Sequence, residues 1–339
     1  MHGGQSVKVG VVSPLTNRGI GIQSYEAARN LDASVLHVET KDPSAPSHPE
    51  RFPGATRTRW AQGLDPRIVI PWLRNLDVVY AAETFYDRRL TKWAKANNVT
   101  TVLHANPEFW TGADTPDLLW SATPWRQDVM PHHTEVVPFP VATDRFTNEP
   151  IFRRYDDRCR WVHIAGKRAL ADRNGTDALM AALPLLREPA LVTIYVQHGE
   201  HPSLPVTPPH VSVCVAPGVP ANYWDLYNGQ DALVLPRRYG GLCLPVQEAC
   251  AAGLAVLMPD LVPNGVWPGP RVPAEFLRKV TMPCGRVPVY DVKADVLAAA
   301  MDELADPVRR AEVQGESVAW AQAHSWEAQK PAWLNLLSR

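Results

Sequence analysis

The sequence predicts an α/β protein made of two Rossmann-like parallel-sheet domains. Two observations carry this. Short β-branched runs alternate with helical periodicity through both halves of the 339 residues, the grammar of parallel sheets joined by crossover helices. That length is also about twice the roughly 150 residues of a typical domain.

In chain order, Val7 to Val12 is a buried strand ending at Ser13-Pro14. Asn17-Arg18-Gly19-Ile20-Gly21 forms a glycine turn, and Ile22, Tyr25, Ala28 and Leu31 follow at helical spacing. Ser34 to Val38 is a second strand. From Asp42 to Pro66 the pattern dissolves into proline, glycine and arginine, and reads as a long surface loop. Asp77 to Tyr80 is a strand, 87–97 a helix and Val99 to Leu103 a strand. Leu118 to Trp120 and Val136 to Pro138 are short strands. The second half repeats the grammar, with strands at 161–165, 190–196 and 255–257 and helices at 176–186, 245–252 and 294–304. Leu226 to Leu235 passes from helix to strand, and a tail with Trp320, Trp326 and Trp333 closes the chain. Two such halves predict a cleft, with ligands beyond the carboxyl ends of the strands.

Composition narrows the function. With 34 Lys+Arg against 35 Asp+Glu, the chain is no uniformly basic nucleic-acid binder, although a local basic face remains open. The 33 prolines, roughly twice the average usage, fall between periodic segments and punctuate loops. Five cysteines without a C-x-x-C pair suggest neither a disulfide framework nor a zinc site. No basic stretch and apolar core mark a leader, and no apolar run reaches the roughly 18 residues of a membrane helix, so a cytoplasmic protein is expected.

The densest chemical signal is the stretch from Ala232 to Gly253. A buried strand, Ala232-Leu233-Val234-Leu235, runs into Gly240-Gly241-Leu242-Cys243, and a helix opened by Leu244-Pro245 carries Glu248 one turn in. Backbone N–H groups at such a helix start hold phosphate or sugar oxygens. Glu248 either accepts hydrogen bonds from a ribose diol or merely complements the helix dipole. Gly240 to Val256 resembles the donor-site signature E-G-F-G-L-P-x-x-E-A-x-A-x-G-x-P-V of GT-B retaining glycosyltransferases, the glycogen synthase-like and lipopolysaccharide glucosyltransferase-like group. Glu248 matches the second glutamate, while Gly240 replaces the first, which contacts the donor sugar in that family. Further matches are Asp225-Leu226-Tyr227 with 231–236, the segment Val136 to Phe146, and Ser325-Trp326-Glu327.

The resemblance implies a GT-B fold: an acceptor-binding domain over 1–145, a nucleotide-sugar domain over 146–320, and a terminal helix over 321–339 returning to the first domain. It implies transfer of a hexose from a nucleotide-sugar, of the UDP-glucose type, to an acceptor hydroxyl by front-face displacement, without a metal or other cofactor. Arg168 and Arg173 keep the spacing of the family's diphosphate clamp, with Lys167 beside them. His104, ending a strand, takes the place of the family's histidine beside the reacting carbon. Gly19, Gly21, Gly240, Gly241, Leu242, Leu244 and Glu248 complete the expected donor site. Glu83, Asn106 and Glu108 are the expected acceptor-side neighbours.

The acceptor is left open. Between Arg51 and Lys95 there are nine basic residues against four acids. Arg57, Arg59 and Trp60 interleave base and aromatic, a combination that holds polyanions and stacks on bases. A phage-type DNA glycosyltransferase acting on hydroxymethylated bases is therefore one alternative. A saccharide, lipid or small-metabolite acceptor is another, and a catalytically inactive sugar-nucleotide or nucleic-acid binder is a third.

Overall fold

The computed structural model describes residues 7–40, 46–60, 63–146, 158–166, 171–197, 201–218 and 220–339. The chain divides into two compact units, one running up to Pro140 and including Trp326–Arg339, the other Val141–Ser325. The divisions thus fall at 140 and 325, where the sequence reading placed them at 145 and 320.

The first unit is built on β1 (Val9–Ser13), α1 (Gly19–Asn30), β2 (Ser34–Glu39), β3 (Thr56–Arg59), α2 (Pro66–Leu73), β4 (Val78–Ala82), α3 (Arg89–Ala96), β5 (Thr100–Ala105), β6 (Leu118–Ser121) and β7 (Glu135–Val136). Its seven strands are all parallel, in the order β3-β2-β1-β4-β5-β6-β7. Every residue of β1 and β4 is buried, as a central parallel strand covered on both faces requires. The stretch expected to be loop between Asp42 and Pro66 holds an edge strand, β3, paired with β2. Its T-R-T-R sequence has no apolar alternation, so pairing alone reveals it. Helix α2 occupies a stretch that the sequence pattern leaves unassigned between the loop and the strand at Asp77. Pro66 at its start and an Asp65 side chain accepting from the Arg67 N–H at 2.9 Å make it helical.

The second unit comprises β8 (Cys159–Ile164), α4 (Thr176–Ala182), β9 (Ala190–Val196), β10 (Val211–Pro217), β11 (Ala232–Val234), α5 (Leu244–Ala251), β12 (Ala255–Pro259), β13 (Arg271–Val272), β14 (Glu275–Met282), β15 (Gly285–Asp291), α6 (Ala294–Ala305) and α7 (Pro307–Ala323). Six strands form a parallel sheet ordered β10-β9-β8-β11-β12-β13, and β14 and β15 form a separate antiparallel hairpin. The tryptophan-rich tail is helical: Trp320 lies in α7, while Trp326 and Trp333 lie in α8 (Trp326–Leu337), which belongs to the first unit.

In each unit a buried histidine ties core elements together. His163 Nδ1 donates to the Val234 carbonyl at 2.9 Å, and Nε2 accepts from the Thr176 hydroxyl at 2.9 Å, so the neutral ring joins β8, β11 and α4. In the first unit the Gln23 amide donates to the Tyr80 hydroxyl, which stands 3.1 Å from His104 Nδ1. The His104 ring packs against Trp120, Phe139 and Trp333 at centroid distances of 6.0, 6.2 and 5.7 Å. Burial pushes His104 down to about 3 and His163 down to about 4 from 6.5.

Both folded values lie below the unfolded one, so this stability is complete above about pH 6.5 and lost as pH falls through 4 and 3. Denaturant titrations should show the two histidines contributing about 1.4 kcal/mol per pH unit each below pH 6. His104→Gln should lower the total slope by about that amount. An unchanged slope would show that His104 is charged in the folded protein.

Candidate functional site

The second sheet reverses its strand order between β8 and β11. Loops following such neighbours leave in opposite directions and open a crevice at the carboxyl ends of the strands. Of the described residues singled out in the second half, Arg173 lies on the loop after β8, Gly240, Gly241 and Leu242 lie on the loop after β11, and Leu244 and Glu248 lie in α5, which that loop enters. Asn174 Nδ2 donates to the Ile164 carbonyl at 2.8 Å, holding the loop after β8 against the strand that it leaves. Asp172 accepts from the N–H groups of Thr176 at 3.0 Å and Asp177 at 2.9 Å, which opens α4. Burial pushes the Asp172 carboxyl up, against the opposing pull of the Asp177 amide and the Arg238 guanidinium. Arg173 stands between Asp172 and Asn174, partly exposed, with its carbonyl accepting from the Arg238 N–H at 2.8 Å. Lys167 and Arg168 lie outside the described residues.

The loop after β11 is organised by a side chain that the sequence reading passed over. Arg237 is buried, and its guanidinium donates to the carbonyls of Gly241 at 3.0 Å and Leu242 at 2.9 Å. Gly240 has φ +124°, and a Cβ there would collide with that guanidinium. With φ +124°, position 240 has a backbone conformation that L side chains rarely adopt, and a side chain there would also displace the Arg237 guanidinium. Gly241 and Leu244 are buried, Leu242 is partly exposed, and Pro245 sits in the first turn of α5. Glu248 is 7% exposed, and its Oε2 accepts from the Tyr227 hydroxyl at 2.6 Å, a short charge-assisted bond. Burial and then the Glu248 carboxylate push the Tyr227 hydroxyl well above its ordinary range, so it stays a donor.

The residues singled out in the first unit stand as follows. Gly19 is the first residue of α1 rather than part of a loop. Gly21 lies inside that helix, where a Cβ would strike the Thr16 carbonyl oxygen, so it serves close packing on the turn after β1. His104 is 0% exposed within its aromatic cluster and Glu108 is 1% exposed. Both side chains are enclosed by the first unit. Glu83, at φ +65° just after β4, does meet Asn106: the Asn106 Nδ2 donates to Glu83 Oε1 at 3.4 Å.

Arg57 and Arg59 project from the same exposed face of edge strand β3, with buried Thr58 between them. Trp60 is 51% exposed, while its indole N–H donates to the Tyr86 carbonyl at 2.9 Å. The basic excess of this segment is partly matched, since Arg59 pairs with Glu39, Arg67 with Asp65 and Arg89 with Asp87. Among the described residues, no cluster of three metal-ligating side chains occurs. No described helix is long and apolar enough to cross a membrane.

No protein-family model and no curated protein sequence matches the chain. Solved structures do. A sucrose-phosphate synthase from Thermosynechococcus elongatus is 14% identical, with 98% of this chain and 99% of that one covered and a TM-score of 0.66. HepE from Anabaena, solved in complex with UDP-glucose, is 10% identical over 98% and 100% of the two chains, with a TM-score of 0.65. The lipopolysaccharide outer core galactosyltransferase WaaB is 10% identical over 97% and 99%, with a TM-score of 0.57. With two parallel Rossmann-like sheets and this likeness over nearly its whole length, the chain has the GT-B fold of glycosyltransferases.

Proposed function

We propose that the protein is a retaining glycosyltransferase that moves a hexose from a nucleotide-sugar of the UDP-glucose type to an acceptor hydroxyl. The observation that carries this reading is the placement of the donor-like sequence. Arg173 stands on the loop after β8, and Gly240 to Glu248 form the loop after β11 and the first turns of α5, at the strand-order reversal of the second sheet. The UDP-glucose complex of the similarly folded HepE supports the donor class.

In this reading the N–H groups that open α5 and the Arg173 guanidinium take the diphosphate, and Glu248, held by Tyr227, accepts the ribose hydroxyls. The bond from the anomeric carbon to the diphosphate oxygen breaks as the acceptor oxygen bonds to the same face. The acceptor's proton passes to the departing phosphate oxygen. No protein nucleophile is needed, because cationic stabilisation of the leaving diphosphate and positioning lower the barrier. Gly240 leaves no carboxylate at that position to touch the sugar, so backbone groups of the loop take its place.

The acceptor is assigned to the first unit. Arg57 and Arg59 on one face of β3, with Trp60 half-exposed after them, favour an anionic acceptor, including a nucleic acid, as a second reading.

Incubation with UDP-glucose should release UDP slowly to water, which a pure binding protein would not do. Arg173→Ala should lose about 2–4 kcal/mol of transition-state stabilisation, the scale of one oxyanion donor. Wild-type turnover in that variant would remove Arg173 from the clamp. Glu248→Gln and Tyr227→Phe should raise donor KM more than they lower kcat. Donor affinity equal to wild type in both would return Glu248 to a helix-dipole role.

For the acceptor, DNA binding should be measured between about 50 and 200 mM salt, where phosphate-dominated complexes weaken steeply. Loss of Arg57 or Arg59 should reduce the log–log salt slope by about 0.7–0.9 each. Trp60→Ala should cost about 1–3 kcal/mol without changing the slope. Absence of binding at the low end would remove the nucleic-acid reading and leave a saccharide, lipid or metabolite acceptor.

A further inference from the structure

Arg238 is a buried cation that the proposed chemistry does not use. Its Nη2 lies 3.2 and 3.1 Å from the two carboxylate oxygens of Asp291, and Nη1 lies 3.5 Å from Asp172 Oδ2. Its backbone is engaged on both sides: the N–H donates to the Arg173 carbonyl at 2.8 Å, and the carbonyl accepts from the Tyr290 N–H at 3.2 Å. One residue on the loop after β11 therefore touches the loop after β8, through Arg173 and Asp172, and the end of β15, through Tyr290 and Asp291. The hairpin adds a further contact to the same loop, since the Tyr239 hydroxyl lies 4.0 Å from Met282 Sδ.

The charge balance decides what such a residue does. Two carboxylates already face the guanidinium, so its charge is largely matched within the protein. Its geometry is instead that of a brace. Asp172, one of its two partners, is also the side chain whose oxygens open α4. The other partner fixes the base of a hairpin whose strands contribute nothing to the six-stranded sheet.

We propose that Arg238 is the positioning residue of the donor crevice. It holds the Arg173 loop, the glycine loop and the β14–β15 hairpin in one arrangement, so that Arg173 is presented to the diphosphate before the donor arrives. The proposal rests on the glycosyltransferase reading for the identity of the ligand, but not for the brace itself. The hairpin thereby becomes part of the donor site's support, and a disturbance of β15 reaches Arg173 through a single side chain.

The test uses the full-length protein with Arg238→Lys, Arg238→Ala and Asp291→Asn. Lysine keeps the charge but lacks the planar fork that faces both carboxylates. Two readouts are taken: hydrogen exchange at the amides of Thr176, Asp177, Arg238 and Tyr290, and UDP affinity by calorimetry. The expected result is at least about tenfold faster exchange at those four amides in Arg238→Ala, with β9 and α7 exchanging as in wild type. UDP binding should be at least about tenfold weaker, one factor of ten being about 1.4 kcal/mol. Arg238→Lys and Asp291→Asn should fall between Arg238→Ala and wild type.

Faster exchange spread evenly over the whole second unit would overturn the proposal and leave Arg238 as an ordinary stabilising ion pair. Locally faster exchange with unchanged UDP affinity would also overturn it. If wild-type protein binds no UDP, the glycosyltransferase reading falls on that measurement, and the exchange pattern still decides whether the brace exists.

Discussion

A parallel sheet buried on both faces must send its connections out at its ends, and every candidate group in the second unit follows from that constraint. Strands β8 and β11 are neighbours whose following loops diverge, and the space between those loops is where a ligand has access to backbone N–H groups. Polar side chains carry the loops there. His163 spans β8, β11 and α4 inside the sheet, while Asn174 and Asp172 fold the chain back onto the strand and helix it connects. Without that strand order, the loop bearing Arg173 and the helix bearing Glu248, 75 positions apart, would not follow neighbouring strands.

The loop after β11 shows how one substitution propagates. Arg237 turns inward to hold two carbonyls of its own loop, and its guanidinium occupies the space that a side chain at 240 needs. A buried guanidinium without partners would cost several kcal/mol, so the loop carbonyls and the cation stabilise each other. The adjacent Arg238 points to carboxylates on other elements instead. Two neighbouring arginines of like charge thus do different work: one shapes the loop, the other ties it to its surroundings.

The first unit repeats the architecture with a different interior. Its aromatic cluster joins β4, β5, β6 and α8 around His104, and the ring hydrogen-bonds to Tyr80 where a strand-end reading places it in contact with ligand. A histidine at the end of a strand carries the same sequence signal whether it faces a ligand or a tryptophan. Glu108 is a similar case, enclosed in a short turn after β5. Of the acceptor-side residues, Glu83 and Asn106 meet, and Arg57 and Arg59 share an exposed strand face.

By itself the sequence determined the alternation of strands and helices, the strand–loop–helix around Gly240 to Glu248, and the resemblance to GT-B enzymes. These depend on periodicity and on residues close together in the chain. It did not disclose β3, α2, β10, β13 or the β14–β15 hairpin; β3, T-R-T-R, has no apolar period and exists through pairing with β2, and the capping of α2 by Asp65 and Pro66 makes its apolar run helical. Tertiary structure alone decided that Gly21 is a packing residue, that His104 is core, and that Gly240 adopts φ +124° beside Arg237. It also decided that Asp172, Arg238 and Asp291, spread over 120 positions, form one charged cluster. The physical reason is the same in each case. Burial, ion pairing and steric exclusion depend on which distant segments the sheet brings within a few ångströms, and no local pattern records that distance.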